Sequence, residues 1–148
     1  RTKKGLNASP AEILMAIQTD MQFSIPDIRL AEIQHELGAK AYNYLFDWES
    51  SVPGLGSCHA LDVGFVFNKC EAGFHGAGPA AEKLVGQMQD AWIAFARNGD
   101  PSCESLGEWP LYGNSRNTMV LGKDSHVEAA PYEEERRIWD NVPDNVIG

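Results

Sequence analysis

The chain has 148 residues, 43% of them apolar and four of them tryptophan, enough for one packed core and too much for a disordered chain. Its 21 acidic against 12 basic residues give a formal charge of −9, which argues against nucleic acid and anionic membrane surfaces as partners, since both repel it. No run approaches the ~20 apolar residues of a membrane helix, and Cys58, Cys70 and Cys103, with no CxxC among them, make a poor disulfide framework and no zinc pattern.

The opening RTKKGLNAS is basic and polar with no apolar run behind it and no initiating methionine. It reads as the start of a cut piece rather than as a secretory leader. Ser9-Pro10-Ala11-Glu12 is a helix start, with a capping serine, proline at the first helical position and glutamate three residues on. Asn7-Ala8-Ser9 is formally a glycosylation sequon, but the following proline makes it a poor one, and capping explains Ser9 better. Ile13, Leu14 and Ile17 supply an apolar face, and Pro26 disturbs or restarts the helix. A second helix is expected from about Asp27 to Leu37, with Ile28, Ala31 and Leu37 inward and Gly38 as its cap.

Ala41 to Trp48 is rich in β-formers and is expected to be a strand covered on both faces. A Pro53, Gly54, Gly56 turn follows, then His59, then the apolar run Val63 to Phe67, expected to be a buried anchor. After a loop from Asn68 to Gly78, Pro79 opens a helix in which Leu84, Met88, Trp92 and Phe95 recur at helical spacing. Asn98-Gly99-Asp100-Pro101 stops it. Thr118 to Leu121 reads as a short edge strand, and Glu133 to Asn141 as a charged helix anchored by Ile138 and Trp139. Helices alternating with two or three strands give an α/β class, with too little sheet for both faces to be covered.

Of four histidines, His35 lies on a polar helix face, His75 in the glycine-rich loop GFHGAG without an evident partner, and His126 ahead of an acidic tail. Only His59 stands between a turn and an apolar run, the way a general base is often presented. It has no nucleophile to serve. G-x-S-x-G is absent, and Gly113 to Asn117 lacks the second glycine and the strand-to-helix context. Cys58 and His59 point to opposite faces if the segment is extended. His59 with Asp62 makes only two metal ligands, and GFHGAG has no lysine to make it a phosphate loop.

Five pieces in order carry a resemblance: TDMQFSIPDIRLAEIQ, AYNYLFDW, GSCHALDVGFVF, DAWIAFARNGDPS and WPLYGNSRNTMVLG. From Thr19 to Gly122 the chain resembles the C-terminal part of the type-B carboxylesterases, α/β-hydrolases that also include the cholinesterases. The resemblance implies the C-terminal portion of a single α/β-hydrolase domain over residues 1–148, comprising the last sheet strands with flanking helices. His59 matches the triad histidine, which comes last in chain order in this family. The nucleophilic serine, the oxyanion loop and the triad carboxylate are expected upstream of Arg1. Asp62 matches a usually glutamate position and is expected to be a buried hydrogen-bonding support for the histidine loop, not the triad acid. Phe23 matches a position lining the acyl pocket in some relatives, and Cys58 neighbours the base; both are expected to touch substrate.

The expected function is therefore serine ester hydrolysis without a cofactor or metal. The expected partners are the remainder of the hydrolase and a small ester; this chain alone is expected to be inactive. Ile25 stands where cholinesterases often carry a disulfide cysteine, which favours a cytoplasmic, reducing compartment over secretion. The rival reading is a non-catalytic scaffold module, which has no reason to keep His59.

Overall fold

The computed structural model describes residues 8–143 and 147. Asn7 of the sequon lies outside them. The chain divides into two compact units, residues 1–39 with 132–148, and residues 40–131.

In the first unit, Ser9 and Glu12 cap each other. Glu12 N–H donates to Ser9 Oγ at 3.3 Å, and Ser9 N–H donates to Glu12 Oε2 at 2.7 Å, so two orphan donors of α1 (Pro10–Thr19) are met by one side-chain pair. Pro26 does not stop the chain. A wide π-turn, Asp20–Ser24, absorbs the lost N–H, and α2 (Ile25–Glu36) follows directly. Ile25 and Ala31 are buried, whereas Leu37, expected inward, caps the helix and is 76% exposed.

The charged helix divides into α6 (Glu133–Ile138) and a 3-10 turn, Trp139–Asn141. Glu133, Glu134 and Glu135 open α6, and Arg136 and Arg137 close it, an order that suits the helix dipole. Arg136 reaches Glu133 at 2.9 Å and Asp140 at 2.6 Å. Arg29 Nη2 donates to the carbonyls of Trp139 at 3.0 Å and Val142 at 2.9 Å. Trp139 Nε1 donates to Asp20 Oδ2 at 3.4 Å. Trp139 is thus the anchor; Ile138, expected to share that role, is 74% exposed.

The second unit holds a mixed sheet, in the order β1 (Asn43–Phe46), β2 (Asn117–Leu121), β3 (His126–Ala129). β1 runs parallel to β2, with Tyr44 opposite Met119 and Phe46 opposite Leu121. β2 runs antiparallel to β3, with Met119 opposite Val127. The strand expected at the edge is therefore the central one. Its burial shows why: Thr118, Met119, Val120 and Leu121 are all buried, while the unexpected β3 is exposed along its length. β1 keeps only the middle of the expected Ala41 to Trp48 run, because only those four residues have partners on β2.

Parallel strands need a crossover, here α3 (Leu61–Val66), α4 (Ala72–His75) and α5 (Pro79–Asn98). Pro79 starts α5. Gly99 ends it in the left-handed region at φ 68°, its N–H donating to Phe95 O at 2.8 Å. Leu84, Met88 and Ala91 on α5 pack with Leu61, Phe65, Trp48, Met119 and Leu121 as the core. Trp92 lies at the margin, and Phe95, expected in the core, is 51% exposed. Among the described residues, no helix is long and apolar enough to cross a membrane.

Candidate active site

His59 follows β1 by way of a loop that is fastened at several points. Ser50 N–H donates to Gly56 O at 2.9 Å and closes the loop on itself. Ser50 Oγ and Ser51 N–H donate to Phe74 O at 2.6 and 3.1 Å. Ser57 Oγ donates to Phe46 O at 2.8 Å, which ties the residues just before His59 to the carboxyl end of β1. In α/β sheets that end is where ligands bind. Leu61 N–H donates to Cys58 O at 3.2 Å, so His59 and Ala60 form the tip of a tight turn. Ala60 is left-handed at φ 63°. An alanine tolerates that conformation at a cost of about 1–2 kcal/mol, and such strain gathers where a side chain has to be presented. His59 is exposed at this tip.

What anchors the turn differs from the expected buried run. Val63 to Phe67 is not a continuous apolar anchor, because Leu61–Val66 is helical. Leu61 and Phe65, four apart on one face, are fully buried, while Val63 is 49% and Phe67 67% exposed. The segment around Cys58 is a turn and not extended, so strand alternation does not separate Cys58 from His59; Cys58 is instead partly buried against the core. Asp62, expected to be buried, is only partly so, and accepts from Tyr44 Oη through its Oδ2 at 2.8 Å.

His75 is the clearest residue that the sequence reading missed. Expected in a flexible loop, it ends α4 and is 7% exposed. Its Nδ1 accepts from Glu71 N–H at 2.9 Å, and its carbonyl accepts from Trp48 Nε1 at 2.7 Å. The ring stands edge-on to Phe65 and Phe74 and fills the space above Gly64. The signal was Gly64 itself: a glycine inside a helix marks a close neighbour. His126 lies on β3, where Nδ1 is 2.8 Å from Asp124 O and Nε2 3.9 Å from Glu128.

Phe23 belongs to the first unit, in the π-turn, and is 42% exposed; Cys58 and His59 belong to the second. Tyr42, Tyr44, Trp92, Phe95 and Trp109 line a cavity of about 200 Å³ in the second unit. Burial, and then the negative field of Asp100, push the Tyr42 hydroxyl above its usual pKa. Burial likewise raises the Cys70 thiol, so it stays protonated and unreactive. The three cysteines are free thiols. Among the described residues, no three His, Cys, Asp or Glu side chains are grouped to hold a metal.

Residues 2–139 match the family model described as "Carboxylesterase family". The chain is 32% identical over 128 residues to the para-nitrobenzyl esterase of Bacillus subtilis, covering 82% of this chain and 26% of that protein. It is 26% identical over 140 residues to carboxylesterase 4A of Bos taurus, covering 89% of this chain and 25% of that one. Among solved structures, a carboxylesterase of Geobacillus stearothermophilus superposes with a TM-score of 0.79 at 35% identity, over 91% of this chain and 29% of that chain. The chain thus spans about a quarter of the length of the relatives it matches. The helix-flanked sheet, with its parallel β1–β2 pair, is part of an α/β-hydrolase fold, and the chain belongs to the carboxylesterase family.

Proposed function

We propose that this chain supplies the catalytic histidine, His59, of a serine carboxylesterase. The observation that carries the reading is the placement of His59. It sits at the tip of a fastened turn beyond the carboxyl end of a parallel strand, in a chain of this family. The imidazole takes the proton from a serine hydroxyl as that oxygen attacks the ester carbonyl. It then gives the proton to the departing alkoxide, which leaves as the alcohol. In the second half, His59 takes a proton from water as the water oxygen attacks the acyl-enzyme, and returns it to the serine oxygen as the acid departs. The serine and the carboxylate that orients His59 belong to the remainder of the polypeptide, the chain's first partner; a small-molecule ester is the second. Cys58, next to the base, and Phe23, with an exposed ring, are the substrate contacts of this reading. Three free thiols fit a reducing compartment, and the cytoplasm is our assignment.

The test is hydrolysis of short-chain p-nitrophenyl esters by the complete polypeptide carrying these residues, with and without His59→Ala. Loss of a triad member lowers kcat by about 10³-fold or more. Wild-type turnover retained in His59→Ala overturns the assignment. So does serine-dependent turnover by residues 1–148 alone. A complete polypeptide without a nucleophilic serine would turn the reading to a non-catalytic scaffold.

A further inference from the structure

Resting on the esterase reading above, we propose that Tyr44 is a positioning residue for His59, acting through the hydrogen bond from its hydroxyl to Asp62. The bond is 2.8 Å long and joins β1 to the first turn of α3. Its donor is held by aromatic packing. The Tyr44 ring stands edge-on to Trp92 at 5.3 Å and 74°, and to Trp109 at 6.4 Å and 80°. Trp109 is 4% exposed and is itself fixed by Nε1 donating to Asn43 O at 3.2 Å. The hydroxyl therefore projects from a strand and a wedge of two indoles, and its direction is set before it meets Asp62.

The acceptor end lies a short step from the base. Asp62 is three residues beyond His59, and the bonds from Leu61 N–H to Cys58 O (3.2 Å) and from Val63 N–H to Ala60 O (3.3 Å) couple its backbone to the turn. The other side-chain attachments of α3 are packing contacts: Leu61 and Phe65 sink into the core, and the His75 ring lies against Gly64. Apolar contact fixes depth, but it is non-directional and leaves α3 free to rotate slightly about its own axis. A hydrogen bond falls off steeply with angle and supplies the missing constraint. Rotation of so short a helix swings its first turn, and with it the His59 ring. Tyr44 is 38% exposed, so the bond contributes little to stability. Its value is geometric.

Two measurements test this. In the complete polypeptide, with histidine selectively labelled, the His59 ring Cε1–H resonance is followed by NMR in the wild type and in Tyr44→Phe, which keeps the ring and removes the donor. A broadened or shifted His59 signal, with the melting temperature within about 2 °C, is expected. An unchanged His59 signal overturns the proposal, and so does a change that appears only together with a large fall in melting temperature. In the complete polypeptide, Tyr44→Phe is expected to lower kcat by about tenfold with KM nearly unchanged, as misorientation of a base does. Asp62→Asn, which keeps an acceptor oxygen, should retain most activity, Asp62→Ala should match Tyr44→Phe, and the double variant should be no worse than either. Additive losses, or a loss confined to KM, overturn it. A complete polypeptide with no esterase activity at all counts against the esterase reading alone, since the NMR measurement still reports whether Tyr44 orders His59.

Discussion

Gly64 is the residue on which the contact between α3 and α4 depends. A Cβ added there would overlap the His75 imidazole, which is buried and pinned through Nδ1 by Glu71 N–H. The ring cannot step aside without leaving its core neighbours. Gly64→Ala is therefore expected to destabilise the unit by about 1–3 kcal/mol, as overpacking does. Gly86, in the middle of α5, has nothing within 4 Å of its added Cβ. Gly86→Ala should stabilise by about 0.4–1 kcal/mol through the unfolded chain and helix propensity. Denaturant midpoints of the two variants moving in the same direction would count against this account. Asp100 offers a pH test at the same scale. The Ser102 backbone N–H donates to Oδ1 at 2.9 Å and, with the Ser102 side chain and the field of Lys40, holds the carboxyl below its usual 3.8. A group with a depressed folded pKa contributes stability above its unfolded value and loses it as pH falls through the folded one. Asp100→Asn should flatten the fall in denaturant midpoint below about pH 4 by lowering the midpoint slightly at neutral pH, with little change at low pH, where the wild-type carboxyl is itself protonated.

At the scale of elements, periodicity was the legible signal and tertiary pairing was not. Pro79, the spacing of Leu84 and Met88, and Gly99 mark α5 from end to end, and the fold places both leucine and methionine at 0% exposure. Leu84→Ala should cost about 2–5 kcal/mol, whereas Ile93→Ala, at 48% exposure on the same helix, should cost far less. Chemical denaturation of the two variants decides it. The Ser9 capping box was equally local and equally legible. What the sequence hid depends on distant partners. Thr118 to Leu121 reads as a short edge strand, yet it is central because β1, far upstream in the chain, pairs with one side of it and the unexpected β3, just downstream, with the other. Val63 to Phe67 looks like a buried run because α3 is too short to display a helical period; Gly64 and Phe65 are buried and Val66 partly so, while Val63 and Phe67 are exposed. At the candidate site, the motif singles out His59 as the proposed base. Its supports were not legible: Ser57, Tyr44 and His75 act through contacts across 11 to 27 positions.

At the scale of the molecule, the sheet is the feature that asks for more chain. β1 bonds β2 along one edge, and among the described residues no strand lies on its other edge. An open strand edge is a template for pairing. In the first unit, Leu14, Met15, Ile17, Leu30, Ile33 and Leu37 are each between 48% and 76% exposed, far more apolar side chain than two short helices ordinarily leave in water. Since the chain spans about a quarter of the length of its relatives, we expect both surfaces to be covered in the complete polypeptide. Isolated, the 16.3 kDa chain should bind a hydrophobic dye and run above its monomer mass in light scattering. Its charge of −9 opposes that association, because every copy repels every other. Added salt shortens the range of this repulsion to about 3 Å at 1 M and strengthens apolar burial, so the native mass should rise with ionic strength. A specific ion-paired dimer would respond in the opposite direction. A dye-silent monomer at every salt concentration would mean that the open edge and the helix faces are tolerated as they stand, and that no larger hydrolase is needed to complete them.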